Sequence, residues 1–182
     1  MKGEIVMYRK TYQSPLGLIY MRSDGEFLTG LWFAGSKDSS KHEGDYEEKE
    51  LPIFDETRRW LDIYFSGKNP DFIPSYRIAH LTPFRQMVID IMNQIPYGKV
   101  ITYRDIAEEI AKRKGLKRMS AQAVGGAVGW NPICIIIPCH RVVGTNGSLT
   151  GYGGGLQNKI RLLELERNDM SQFTIPKDGT AL

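Results

Sequence analysis

Cysteine is scarce in this chain: two thiols, Cys134 and Cys139, in 182 residues. Two cannot build a disulfide scaffold and they fit a reducing compartment, so a cytoplasmic location is the default expectation. Histidine is equally scarce, with only His42, His80 and His140. The combined set is too small and too poorly spaced for a zinc site, and neither a metal nor another cofactor is expected. Long hydrophobic runs are missing too. No stretch approaches the roughly 18 apolar residues of a membrane span. Met1-Lys2-Gly3-Glu4-Ile5 lacks the long apolar segment of a secretory signal. The net charge is only +3, but it is unevenly spread: residues 1–79 carry 11 Lys+Arg against 13 Asp+Glu, and residues 80–182 carry 13 against 8. A basic C-terminal half is what a polyanion-binding surface needs, although surplus lysine is more often plain solubility.

What is present fits a soluble α/β protein of one large or two small domains, at 41% hydrophobic and 25% charged residues. Residues 6–13, 18–22 and 27–33 are rich in β-branched, aromatic and aliphatic side chains. Turns at Ser14-Pro15-Leu16-Gly17 and Ser23-Asp24-Gly25 separate them, which predicts a β-meander. The polar residues 35–44 predict an exposed loop. Trp60, Leu61, Tyr64 and Phe65 recur at helical spacing and predict a helix over 54–65. The prolines of residues 69–75 mark a linker.

The second half reads as largely helical. Thr82-Pro83 caps a helix reaching about Ile95. Residues 99–101 predict a short strand, and Thr102 caps a helix over 103–111. Residues 112–118, Lys-Arg-Lys-Gly-Leu-Lys-Arg, form a basic connector. Ser120 opens a helix over 121–128, residues 135–137 predict a buried strand, and a final helix runs over 156–167. Two short helices joined by a basic turn, followed by a strand and a Gly-rich loop, have the order of a winged helix-turn-helix. The second helix is unusual, because Ala121, Ala123, Gly125, Gly126 and Ala127 leave almost no side chain to read base edges. Small residues permit close backbone approach while withholding a sequence code, which suits a sequence-blind grip such as one on the shallow minor groove. A tight helix–helix contact in a core explains the same residues equally well.

Pro138-Cys139-His140-Arg141 follows the apolar run Ile135-Ile136-Ile137. Proline stiffens the backbone that presents Cys139, and an adjacent histidine is a common generator of the nucleophilic thiolate. A buried structural cysteine beside a satisfied histidine is the plain alternative. Cys134, flanked by isoleucines, reads as core.

The ordered set from Tyr97 to Glu166 resembles the O6-alkylguanine-DNA alkyltransferases, also called methylated-DNA–protein-cysteine methyltransferases. The densest match is residues 131–144, Asn-Pro-Ile-Cys-Ile-Ile-Ile-Pro-Cys-His-Arg-Val-Val-Gly. Residues 123–127 and 151–156 flank it at the expected distances. The N-terminal third matches only in general pattern. The resemblance implies an α/β architecture: an N-terminal ribonuclease-H-like α/β domain over 1–78, a mostly helical winged helix-turn-helix domain over 79–170, and a tail over 171–182. It implies that Cys139 accepts the alkyl group of O6-methylguanine in DNA, irreversibly and once per molecule, after the nucleotide is flipped out of the duplex. Whether O4-methylthymine is accepted stays open.

By the same resemblance, His140 takes the thiol proton through a water and Glu166 orients the imidazole. Asn131 ties the turn to the nucleophile's loop, and Tyr103 donates to the departing base. Tyr152 packs against the base, the Gly153 amide reaches O6, Gly154 is a further substrate-binding residue, and the Val142 and Cys139 carbonyls meet the exocyclic amine. DNA contacts fall to Ser120, Ala121, Gln122, Ala123, Gly125 and Gly126, with Arg118 and Arg141. Many family members carry an arginine where this chain has Gln122, so an uncharged finger is expected, with either reduced DNA affinity or compensation by Arg113, Lys117 or Arg118. The expected partner is duplex DNA, without sequence preference, bound by a monomer. The zinc site of some relatives has no counterpart, since no cysteine precedes Cys134. A lesion-binding protein without transfer and a redox-sensing winged-helix regulator are the rivals. The first lacks the acceptor cysteine, and the second does not explain Asn131, Tyr103 and Glu166 at matching distances.

Overall fold

The computed structural model describes residues 3–177, and the chain divides into two units, one ending at Ala79 and the other starting at His80. In the first unit β1 (Tyr8–Ser14), β2 (Gly17–Ser23) and β3 (Leu28–Phe33) form an antiparallel meander in the order β1-β2-β3. The first turn closes where Ser14 Oγ donates to the Gly17 carbonyl at 2.7 Å. Gly17 sits at φ +115°, a conformation that L side chains rarely adopt. Helix α1 (Pro52–Phe65) opens on a proline at its first position and packs on the sheet, with Phe54, Leu61 and Tyr64 fully buried.

Residues 35–44 are mostly exposed, as their polarity predicts, but they are not simply a loop. Lys37–His42 form a 3-10 helix with Asp38 and His42 buried. His42 stacks on Trp32 with ring centroids 4.0 Å apart, and Gly30 leaves it room: a Cβ there would lie 2.7 Å from the imidazole. An aromatic sheet face needs covering, and this polar segment brings one flat side chain to cover it.

The second unit packs α2 (Pro83–Asn93), α3 (Tyr103–Lys114) and α4 (Ala121–Trp130) against one another, with Val88, Met92, Ile106, Ile110, Val124 and Val128 buried. The expected caps are present. Thr82 accepts from the Arg85 amide, Thr102 and Asp105 form a reciprocal capping box, and Ser120 accepts from the Ala123 amide. Strand β4 (Ile101–Thr102) pairs in parallel with β5 (Val142–Val143). Helix α5 (Leu156–Leu165) packs Leu163 with Val143 and Leu149 in a second apolar cluster.

Three expectations are corrected here. Helix α3 runs on to Lys114, so Lys112, Arg113 and Lys114 are helical; Gly115 at φ +65° ends it. Residues 135–137 do not form a strand. Ile135 has φ +67°, the Ile136 amide donates to the Cys134 carbonyl, and the Ile137 amide donates to the Ile133 carbonyl. The described part of the expected tail is docked as far as Thr174, which exchanges backbone hydrogen bonds with Gly147 and Leu149. A Cβ on Gly147 would lie 2.1 Å from the Gln172 carbonyl oxygen, so this close approach requires glycine. Residues 178–182 of that expected tail lie outside the described residues.

Candidate active site and nucleic-acid interface

Asn131 is the C-cap of α4, 2% exposed, and its amide does the work that a strand ladder was expected to do. Its Nδ2 donates to the carbonyls of Ile133 at 3.2 Å and Ile137 at 3.0 Å, while its Oδ1 accepts from the Ile133 amide at 3.0 Å. Buried backbone groups must find partners, and these do so in a compact coil. The Ile137 carbonyl also accepts from the Cys139 amide at 2.8 Å across Pro138, which has φ −82° and ψ 62°. That is an inverse γ-turn, and it lifts Cys139 to a half-exposed position at the start of a 3-10 turn. A β-branched residue held at positive φ, such as Ile135, costs about 1–3 kcal/mol, and the Asn131 bonds hold the coil in which this strain is kept.

His140, by contrast, is fully buried. Its Nε2 contacts Glu166 Oε2. Glu166 Oε1 accepts from Arg141 Nε at 2.6 Å and from the Gly98 amide at 3.3 Å, and Arg141 Nη1 donates to the Ile95 carbonyl at 2.9 Å. Burial alone would raise the Glu166 carboxyl, but His140 and Arg141 outweigh it and bring it down to about 2. Burial pushes the His140 imidazole below its ordinary value, against the pull of Glu166. The imidazole is therefore neutral at rest near pH 7, and the permanent counter-charge to Glu166 is the Arg141 guanidinium. A neutral imidazole with Nε2–H donated to a carboxylate leaves Nδ1 as the basic nitrogen.

Glu166 reaches this position because α5 stops there. Arg167 takes φ +62°, the Arg167 amide donates to the Glu164 carbonyl and the Asn168 amide to the Leu163 carbonyl, a Schellman closure. Glu164, two residues earlier, is exposed.

Two further side chains lie within electrostatic reach of Cys139. Tyr103, 9% exposed at the start of α3, donates weakly to the Thr150 and Gly151 carbonyls at 3.3 and 3.4 Å. Burial, followed by the Cys139 charge, pushes its phenol up to about 12. Lys159 on α5 is fully buried, and its Nζ donates to the Val142 carbonyl at 2.7 Å and the Thr150 carbonyl at 3.1 Å. Burial lowers its ammonium to about 8, with the Cys139 charge acting the other way. Lys159 was not anticipated from the sequence. The signal was available: it falls on the inward stripe of α5 with Leu156, Leu162 and Leu163, where a lysine is out of place.

Helix α4 presents Ala121, Gln122, Ala123 and Gly126 to solvent. A Cβ built on Gly126 or Gly129 meets nothing within 4 Å, and one on Gly125 meets only the Tyr103 ring at 3.9 Å. Internal packing therefore does not demand glycine at 125, 126 or 129, whereas Ala127 is buried on the inner side of the helix, where the core explanation holds. Gln122 is the only long side chain on that face.

The family model described as "6-O-methylguanine DNA methyltransferase, DNA binding domain" matches residues 83–168, and the one described as "6-O-methylguanine DNA methyltransferase, ribonuclease-like domain" matches residues 7–73. The chain belongs to the 6-O-methylguanine DNA methyltransferase family. It is 38% identical over 161 residues to the methylated-DNA–protein-cysteine methyltransferase of Haemophilus influenzae, covering 88% of this chain and 87% of that one. With the inducible methylated-DNA–protein-cysteine methyltransferase of Bacillus subtilis it shares 42% identity over 159 residues, covering 82% and 86%. Among solved structures it resembles Mycobacterium tuberculosis OGT in complex with DNA, with a TM-score of 0.76 and 35% identity over 91% of this chain and 94% of that one.

In this member of the 6-O-methylguanine DNA methyltransferase family, Asn131 shares the Ile137 carbonyl with the Cys139 amide, His140 is paired with Glu166, and Tyr103 lies within electrostatic reach of Cys139. Tyr152 and Gly153 lie half-buried and Gly154 buried on the loop that Tyr103 and Lys159 tether. The Val142 carbonyl already serves Lys159, so a base amine would share it. Ser120 is committed to capping α4, and Arg118 is exposed on the turn before it. Arg141 is placed differently from the DNA contact expected of it. Its side chain is 11% exposed and its guanidinium is spent on Glu166 and Ile95. No helix among the described residues is long and apolar enough to cross a membrane.

Proposed function

We propose that this protein repairs DNA by moving the alkyl group from O6 of guanine to the sulfur of Cys139, once per molecule. The observation that carries this reading is a half-exposed cysteine whose neighbour in sequence is a fully buried histidine locked to an ionised glutamate. It sits within a domain that matches the DNA-binding half of the family. The Cys139 thiol gives its proton through a water to His140 Nδ1. Glu166 stabilises the imidazolium that forms, as the third member of a triad does. The thiolate attacks the alkyl carbon in line, the C–O6 bond breaks, and its electron pair leaves with the base. The proton that guanine gains is supplied, in net terms, by the thiol. A phenol held near 12 keeps its own proton, so Tyr103 acts by hydrogen-bonding the departing base. A thioether leaves poorly, and the alkyl group stays on the sulfur.

The target O6 is inaccessible inside a duplex, so the nucleotide must rotate out of the stack at a cost of a few kcal/mol. The bare face of α4 allows the backbone close to the minor groove without reading sequence, and Gln122 fills the space the base leaves. Tyr152, with the backbone of Gly153, Gly154 and Val142, lines the place of the flipped base. A single chain suffices, because every group named belongs to one unit. The test is peptide mass analysis after incubation with duplex carrying O6-methylguanine. Transfer adds one methyl group to the Cys139 peptide. Lesion binding without an adduct, or modification by peroxide alone, refutes it.

A further inference from the structure

One basic motif is not absorbed by the chemistry above. Residues 112–118 carry five cations, and two of them are occupied within the fold. Arg113 pairs with Glu109 at 2.7 Å, and the Lys114 ammonium lies 6.0 Å over the Phe84 ring. Lys112, Lys117 and Arg118 are exposed and make no ion pair among the described residues. These three converge on one depression of about 560 Å³. Its lining includes Arg104, Glu108 and Lys112 at successive turns of α3, together with the buried Ala107 and Ala111. Glu108 is neutralised by Arg104 at 2.9 Å, which leaves the residues lining the depression with a net charge of +3.

The rim is rigid, although it reads as a connector. Gly115 sits at φ +65°, and the Leu116 amide donates back to the Ala111 carbonyl at 2.8 Å, so Lys117 and Arg118 leave the helix on a fixed path. The lining also includes Ala121, the first residue of the bare α4 face. The depression is therefore continuous with the surface already assigned to DNA. In a helix-turn-helix the first helix crosses the nucleic-acid backbone while the second enters the groove. Alanine methyls below and cations around suit a deoxyribose resting on its apolar face beside a charged phosphate.

We propose that this depression is a phosphodiester-binding pocket that grips the backbone of the same duplex, beside the groove that α4 enters. The proposal rests on the reading that α4 meets DNA. It assigns the charge of the complex to α3 and its turn, away from the finger at Gln122, which carries none. Three neutralised phosphates change the slope of log affinity against log salt by about 2.7, at 0.9 for each.

The test is equilibrium binding of undamaged duplex over a series of salt concentrations, with melting temperatures confirming that each variant is folded. Replacing Lys112→Gln, Lys117→Gln and Arg118→Gln together lowers the magnitude of the slope by about 2.7, and Lys117→Gln alone lowers it by about 0.9. The comparison variant, Arg113→Gln with Lys114→Gln, removes two cations from the same stretch but outside the pocket, and leaves the slope within about half a unit. If the wild type binds with a steep slope and the pocket variants keep it, or if both sets lose it equally, the pocket is overturned while the DNA reading stands. If the wild type shows no salt-dependent binding, the DNA reading fails and takes the pocket with it.

Discussion

Replacing Glu166→Gln preserves shape while removing one charge. Glutamine's oxygen can still accept from Arg141 Nε and the Gly98 amide, now 2.6 and 3.3 Å from the carboxylate. Its NH2 group then faces His140 Nε2. That nitrogen must become an acceptor, the ring proton moves to Nδ1, and the atom that should take the thiol proton no longer can. In a serine-protease triad the equivalent amide substitution costs about 10⁴ in rate through the wrong tautomer. We expect a loss of roughly 10³- to 10⁴-fold in the single-turnover rate of transfer at pH 7 on the same grounds. Stability should fall as well. A carboxyl brought from an ordinary 4.5 down to about 2 stabilises the fold wherever it is ionised. Because its folded value is depressed, that contribution is fully present above pH 4.5 and is lost as the pH falls toward 2. The gap in unfolding free energy between wild type and variant should therefore be present at neutrality and close as the pH falls toward 2. A variant that transfers within tenfold of wild type at pH 7, or a stability gap independent of pH, would refute the buried triad.

Two other substitutions separate function from folding. Gly126→Ala adds a methyl that meets no neighbouring atom, so it should raise stability by about 0.5–1 kcal/mol through helix propensity. It should also weaken binding to duplex DNA; unchanged affinity would mean that no backbone approaches this face. Lys159→Met removes the cost of a buried ammonium held near 8 but strips the Val142 and Thr150 carbonyls of a donor. These effects oppose each other at about 1–3 kcal/mol apiece. Chemical denaturation should shift little, whereas transfer should slow more than tenfold as the loop bearing Tyr152 loosens. A fast variant would remove Lys159 from the site.

Much of this site was legible because its parts are neighbours in sequence. Cys139 and His140 are adjacent, the polar caps Thr82, Thr102 and Ser120 precede their helices, and the bare face of α4 is written in its alanines and glycines. What was not legible depends on tertiary pairing. Ile135-Ile136-Ile137 has the composition of a buried strand, and only the Asn131 amide, acting from the end of α4, turns it into a coil. Arg141 has the look of a surface cation until Glu166 arrives from α5, 25 residues later, and draws it inward. The polar segment containing His42 reads as loop because its role is to lie flat on Trp32, which no local pattern encodes.

The central claim is that the sulfur beside His140 is consumed as it acts, and a titration tests it most directly. Lesion-bearing duplex in excess is mixed with increasing protein, and repaired guanines are counted at completion. The account predicts one repaired guanine per protein molecule and none from Cys139→Ser. Repair that continues past one per molecule, or that survives loss of this sulfur, contradicts it.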